Sequence, residues 1–412
     1  MAASYFSIPY GSGRNLNKHA ILDLIRFTPG GIARADLARV LGLSRSAVTA
    51  IVSELIAAGL VREAADGAAT SGRRPILLEI NAQRGYVVGV DIGATHLMIL
   101  LTDLAAQVVY EVEKPLDISA GPGTCLPQVD AGLQTLLSDQ RLSLDDILAI
   151  GVGVPGPVAS GGGKVIAPPI MPGWDDFPIV DNLQKRWGRP VSLNNDAELG
   201  ALGEWAYGAG RLERNLIYIK VGTGVGAGLI IDNQVYRGES GTAGEIGHVT
   251  VQTDGPVCTC GNRGCLEAVA GGHAIARLAQ QVVRSNVRTQ IGKAGQPGSI
   301  TALDVTNAAR LGDLEAQKIV TQAGTCIGIA LAGLINLLNP GIVVIGGGFA
   351  QSGDLLLEPI RETVRKRALK AAVQTVRITT AVLGRRSTAM GAVVQALTMV
   401  LHDIAESEVG GA

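Results

Sequence analysis

From residue 17 onward, short apolar clusters recur at helical spacing between turn residues. Residues 17–28 (NKHAILDLIRFT) put Ile21, Leu24 and Ile25 on one helical face, and Pro29-Gly30-Gly31 stops that helix. The segment ARADLARVLGL follows, with Leu37, Ala38 and Leu41 apolar and Gly42 ending it. Ser44 is placed to cap a third helix, SRSAVTAIVSELIAAGLV, whose Val48, Val52, Leu55 and Ile56 share a face. A three- to four-residue turn with glycine where a helix must stop is the helix-turn-helix pattern. Arg45, Ser46 and Thr49 fall opposite the apolar face, at the end where a recognition helix meets base edges. After Gly59, two strand-like flanks enclose a tip carrying Arg73 and Arg74. That tip reads as a wing, suited to a phosphate or to a narrow minor groove. A helical dimerisation module with a solvated basic loop is the competing reading; the whole series of elements favours DNA.

From Tyr86 the pattern changes to apolar strands broken by glycine turns. YVVGVDIGATHLMILLTDL is strand, turn at Asp91–Thr95, strand, and LIYIKVGTGVGAGLII at 216–231 repeats the unit. Two copies predict a duplicated, two-lobed α/β body with a cleft. Asp91, Gly93 and Thr95 in the first turn, and Gly222, Thr223 and Gly224 in the second, are nucleotide-phosphate candidates, because glycine lets backbone N–H groups face a phosphate. A tight hairpin requiring positive φ accounts for the same glycines. Gly346–Gly348, after the strand Ile342–Ile345, is a third candidate turn, where a nucleotide base or ribose could lie. Residues 319–353 carry no charge, but Asn336, Asn339, Pro340 and Gly341 divide them into a buried helix and a short strand rather than a membrane span. The domain plan expected is a head at 1–82, a first lobe at 83–200 completed by a helix at 388–408, and a second lobe at 201–387 carrying a metal loop and a dimer interface.

Two polar clusters interrupt the apolar pattern. Asn194-Asn195-Asp196 follows the strand Pro190–Leu193, at the carboxyl end where α/β sheets bind ligands. An amide beside a carboxylate suits a polyol, and Asp196 could act as a general base on a sugar hydroxyl. Capping of the next helix explains the same residues equally well. The second cluster is Gly244-Glu245-Ile246-Gly247-His248, then Cys258-Thr-Cys260-Gly-Asn-Arg-Gly-Cys265-Leu-Glu267. One histidine and three cysteines supply a closed tetrahedral set for structural Zn²⁺ through His248, Cys258, Cys260 and Cys265. Buried free thiols are the alternative; the density of ligands favours zinc.

Composition sharpens this. Of 412 residues, 47% are hydrophobic and 17% charged, which excludes a disordered chain. Fourteen aromatics argue against a stacking platform for single-stranded nucleic acid. Glycine, at 55, is nearly twice its usual share of about 7%, and the excess is expected in turns and loops. Net charge of −1 hides an asymmetry: residues 1–80 hold nine basic and six acidic side chains, the remainder 26 and 30. A basic head on a mildly acidic body points to a local nucleic-acid contact. Five cysteines, three of them crowded, fit a reducing compartment, and the N-terminus lacks a signal-peptide pattern; a cytoplasmic protein with no membrane partner is expected.

Taken together, Asp91-Ile-Gly-Ala-Thr95, Asn195-Asp196, Glu245-Ile-Gly-His248 and the C-x-C-G-x-x-G-C-x-E run resemble the ROK family of repressors, open reading frames and sugar kinases, over about 83–400. The helix-turn-helix head is similar to that of its repressor branch. The resemblance implies a multidomain α+β chain: a winged helix-turn-helix, then a two-lobed actin-like ATPase (ribonuclease H-like, hexokinase-type) α/β fold with sugar between the lobes. It places sugar contacts on Asn195, Asp196, Glu245, His248 and Glu267, and zinc on His248, Cys258, Cys260 and Cys265. His248 would put one ring nitrogen on zinc and the other toward a sugar hydroxyl. In the kinases, the counterpart of Asp196 is the catalytic base. The first phosphate loop departs from the kinase pattern D-x-G-G-T-K at Ala94 and His96, so ATP and Mg²⁺ binding is expected to be weakened. The expectation is a sugar-responsive repressor, binding double-stranded operator DNA as a homodimer or dimer of dimers. The alternative is an active ATP-dependent sugar kinase with a DNA-binding head.

Overall fold

The computed structural model describes residues 13–64, 75–159, 162–166, 168, 170–285, 287–292 and 299–407. Its head comprises α1 (Gly13–Phe27), β1 (Ile32–Ala33), α2 (Arg34–Leu41), α3 (Arg45–Ala57), β2 (Val61–Ala64) and β3 (Leu77–Ile80). Gly42 ends α2 in the left-handed region at φ +67°, donating its N–H to Ala38 O, a backbone angle that side chains with a Cβ rarely adopt. Two residues later the Ser44 hydroxyl accepts from Ala47 N and starts α3. Val48, Ile51, Val52 and Leu55 turn inward; Ile56, expected on that face, is only half-buried. β3 pairs antiparallel with both β1 and β2, which makes this a winged helix-turn-helix. Arg73 and Arg74, in the tip between β2 and β3, lie outside the described residues.

The body contains two five-stranded sheets. The first uses β4 (Tyr86–Ile92), β5 (His96–Asp103), β6 (Val108–Pro115), β7 (Ile147–Val154) and β8 (Val191–Asn195), with α4 (Pro122–Gln140) and α5 (Ile179–Trp187) between them. After α6 (Asp196–Tyr207), the second uses β9 (Leu216–Val221), β10 (Val225–Ile231), β11 (Gln234–Val235), β12 (Ile342–Gly346) and β13 (Arg377–Thr380). Strand orders are β6-β5-β4-β7-β8 and β11-β10-β9-β12-β13. In both, the first three strands pair antiparallel and the last two join in parallel. The same order twice identifies a duplicated actin-like α/β fold. Central strands such as β12, and β4 apart from Asp91, read as apolar runs because both of their faces are covered.

The helices of the second half are α7 (Leu266–Ala270), α8 (Gly272–Arg284), α9 (Ala302–Arg310), α10 (Leu314–Leu338), α11 (Asp354–Arg367), α12 (Lys370–Thr375) and α13 (Ser387–Ser407). α10 has the length and apolar character of a membrane span, as does the segment around α13; in the fold α10 packs on α11 and on the core behind β9 and β12. α13 lies across β4 and β7 and crosses α6, which itself packs on β9 and β10. The apolar core of the head runs without a break into α13 and the adjoining face of the first sheet, through Ile21, Leu55, Met98, Val393 and Leu401.

Candidate functional site

Four strand and helix ends converge between the sheets: the end of β4 with Asp91, the end of β8 with Asn195, the end of β9 with Lys220, and the start of α13 with Thr388. Asn195 caps α6, its Oδ1 accepting from Ala197 N at 2.8 Å and Glu198 N at 3.2 Å while its Nδ2 donates to Gly156 O. The capping reading therefore holds for this side chain, and one amide hydrogen remains for a ligand. Asp196, the first residue of α6, keeps its carboxylate in the cleft at 15% exposure.

Lys220, which the sequence reading passed over, organises the centre. Its Nζ donates to Asp196 Oδ2 at 2.8 Å and to Thr388 Oγ1 at 3.2 Å, and lies 3.7 Å from Asp91 Oδ2. His96 Nε2 stands 3.3 Å from the same Asp91 oxygen. Burial pushes Asp91 up, but Lys220 and then His96 outweigh it and hold the carboxyl below the ordinary range. Burial wins at Asp196, which stays above that range despite Lys220, with Asp91 adding to the rise. Burial alone would lower the Lys220 ammonium; Asp196 and Asp91 reverse that and hold it above its usual value. The only signal for Lys220 in the sequence is a charge inside the apolar run LIYIKV just before a glycine turn.

The two predicted phosphate turns flank this network. Gly93 donates its N–H to His96 O, and the His96 ring packs over Gly93, where a Cβ would collide with it. Thr95 is exposed. In the second turn Gly222 N–H reaches Gly224 O, and Gly222 O and Thr223 O accept from Gly272 N and His273 N; the space beside Gly222 is open. In the third turn a Cβ on Gly346 or Gly347 would strike Tyr218 or the Val221 carbonyl, while the space beside Gly348 is open.

Glu245 and His248, from the loop after β11, and Glu267 of α7 lie beside the same cleft. Burial raises the Glu245 carboxyl; His248 opposes the rise, and Glu267 and Asp196 add to it. Glu267 Oε2 accepts from Val225 N at 3.0 Å, so it also fixes the second glycine turn. His248 turns Nε2 toward Glu245 Oε2 at 3.8 Å and Nδ1 toward Cys258 Sγ at 3.7 Å. Cys260 and Cys265 Sγ are 3.7 Å apart, and all four donor atoms lie within 4.8 Å of one another. Around a tetrahedral Zn²⁺, bond lengths near 2.0–2.3 Å separate ligand atoms by about 3.5–3.8 Å. The donor set and its spacing fit that ion. Burial pushes the Cys265 thiol up to about 12, so this sulfur keeps its proton unless a cation displaces it.

On the head, Arg45, Ser46 and Thr49 are all exposed on α3. Ser46 Oγ pairs with Ser44 Oγ at 3.0 Å, and Thr49 Oγ1 donates to Arg45 O at 2.8 Å. The Arg45 guanidinium is thus the long polar arm at the entry to the recognition helix.

A winged helix-turn-helix joined to a duplicated actin-like body with a polar interlobe cleft defines a DNA-binding regulator built on a sugar-kinase scaffold. The chain belongs to the ROK family: the ROK family model matches residues 87–399, and the MarR family model matches residues 12–69 of the head. It is 31% identical over 373 residues to the xylose repressor of Caldicellulosiruptor bescii, covering 90% of this chain and 92% of that one. Among solved structures it is similar to a ROK family transcriptional regulator, a homologue of the E. coli MLC protein, at TM-score 0.78 and 28% identity, covering 95% and 97% of the two chains. It is also similar to a ROK family glucokinase from Streptomyces griseus solved with glucose and AMPPNP, at TM-score 0.69 and 30% identity, covering 76% of this chain and 99% of that one.

Proposed function

We propose that this chain is a sugar-responsive transcriptional repressor, acting in the cytoplasm as a homodimer on a palindromic operator. One observation carries the reading: α13 touches the cleft at its start and α1 of the DNA-binding head farther along. At the cleft, Thr388 Oγ1 donates to Asp196 O at 3.0 Å and receives Lys220. Farther along, Arg26 of α1 donates to Val394 O and Thr398 Oγ1. At the far end Lys18 donates to Ala405 O and pairs with Glu54 of α3 at 2.9 Å. Sugar in the cleft would contact Asp196, Glu245, Glu267, His248 and the remaining Asn195 hydrogen, and α13 would carry the change in lobe arrangement to α1 and α3. Coupling of about 1–3 kcal/mol is usual between such sites. Zn²⁺ on His248, Cys258, Cys260 and Cys265 would fix the loop that presents Glu245 and His248. The likeness to a xylose repressor makes D-xylose the first sugar to try, with D-glucose second.

Selection of duplexes from a random pool, followed by affinity measurements with and without sugar at fixed salt, tests the reading. Arg45→Ala should lose about 1–3 kcal/mol on the selected operator and relax preference at one base position. Unchanged affinity and preference would remove Arg45 from the interface, and affinity indifferent to every sugar tried would sink the sensor. Elemental analysis of purified protein should find one zinc per chain, lost in Cys258→Ser with a fall in thermal stability; folded wild type without zinc would refute the metal assignment.

A further inference from the structure

Asp91 and Asp196 face one another from the ends of β4 and α6, an arrangement that suits a divalent cation, which takes carboxylate oxygens at about 2.0–2.1 Å in the case of Mg²⁺. The residues present do not fit that ion. Lys220 Nζ already lies 2.8 Å from Asp196 Oδ2 and 3.7 Å from Asp91 Oδ2, so a metal bridging the same oxygens would meet the ammonium at contact distance and with like charge. Thr388 Oγ1, at 3.2 Å, holds the ammonium there, and His96 Nε2 stands 3.3 Å from the same Asp91 Oδ2. Lys220 comes from the second sheet and Asp91 from the first, so this one side chain also ties the lobes together.

We propose that Lys220 is a built-in cation that takes the place of a divalent metal between Asp91 and Asp196, so that the cleft holds its sugar as a ligand and does not phosphorylate it. Asp196 Oδ2 is committed to the ammonium. The second oxygen of Asp196 can still accept a hydrogen bond from the sugar. Only the sugar clause rests on the function proposed above; the exclusion of metal stands on the lysine geometry alone.

The test uses full-length, zinc-replete protein and Mn²⁺ as the probe, its free concentration read by electron paramagnetic resonance. Wild type should take up no Mn²⁺ in the cleft. Lys220→Thr should take up one equivalent at least tenfold more tightly, and Asp91→Asn added to it should abolish the gain. Wild type should also consume ATP at the same background rate with D-xylose, D-glucose or no sugar. Equal Mn²⁺ binding by wild type and Lys220→Thr overturns the inference. So does sugar-dependent ATP consumption by wild type, a measurement that decides the matter even where the variant fails to fold. A chain that binds no sugar in thermal-shift assays contradicts the sensor reading and leaves the Mn²⁺ comparison intact.

Discussion

His19 lies in α1 at 2% exposure, its ring stacked on His402 of α13 with centroids 3.9 Å apart. Burial, then His402, push its imidazole down to about 4; Glu406 and Asp23 pull upward, and Lys18 adds a small further lowering. Between pH 6.5 and about 4 the unfolded chain binds a proton that the native chain refuses. Stability therefore rises with pH across this window, and falls as acid is added, by up to about 3 kcal/mol at ~1.4 kcal/mol per unit. His19→Gln should flatten that slope in urea unfolding measured at a series of pH values; a slope equal to that of wild type would move its origin elsewhere. No sequence pattern marks His19 or Glu204, and only a charge inside an apolar run marks Lys220, because each is defined by partners far along the chain. Glu204 is fully buried in α6 and accepts from Ala209 N, Val382 N, Leu383 N and Ser387 Oγ. The cluster of His248, Cys258, Cys260 and Cys265, by contrast, was legible, since three of the four fall within eight residues and their chemistry is unusual.

At the scale of elements, local periodicity sufficed where neighbours in sequence are neighbours in space. The three helices of the head, the turn at Gly42 and the β–glycine turn–β units all follow from local signals. The pairing of β12 between β9 and β13 does not. Glycine shows the same limit. Part of the excess does sit in turns, but Gly89 and Gly151 let α13 approach β4 and β7, and Gly203 and Gly391 let α6 and α13 cross backbone to backbone. A Cβ on Gly391 would strike the Leu199 carbonyl, and one on Gly203 the Ser387 carbonyl; neither backbone can yield without parting the helices. Gly391→Ala is therefore expected to cost at least about 1–3 kcal/mol, as overpacking does, although alanine favours a helix by up to ~1 kcal/mol. Thermal or chemical unfolding gives the sign, and a stabilised variant would mean that the two helices do not touch there.

Across the whole molecule, α13 forms a wall of the cleft and part of the core under the head, so the proposed sugar and operator sites share one helix. If sugar changes operator affinity by some factor, operator must change sugar affinity by the same factor. Arg26 is the most heavily bonded contact on that route: it reaches Thr398 Oγ1 at 2.9 Å, Val394 O at 3.1 Å and Tyr207 Oη at 3.4 Å, with its guanidinium 4.7 Å from the Phe27 ring centre. It touches neither the exposed face of α3 nor the cleft carboxylates. Arg26→Ala should thus leave the zinc content and the sugar affinity of the free chain near those of wild type, while both coupling factors shrink together toward one. Isothermal titrations of sugar with and without operator, and of operator with and without sugar, close the cycle. If Arg26→Ala unfolds the head, operator binding disappears while sugar affinity stays at its free value; if both coupling factors persist at full size in a folded variant, the signal does not pass through α1 and α13.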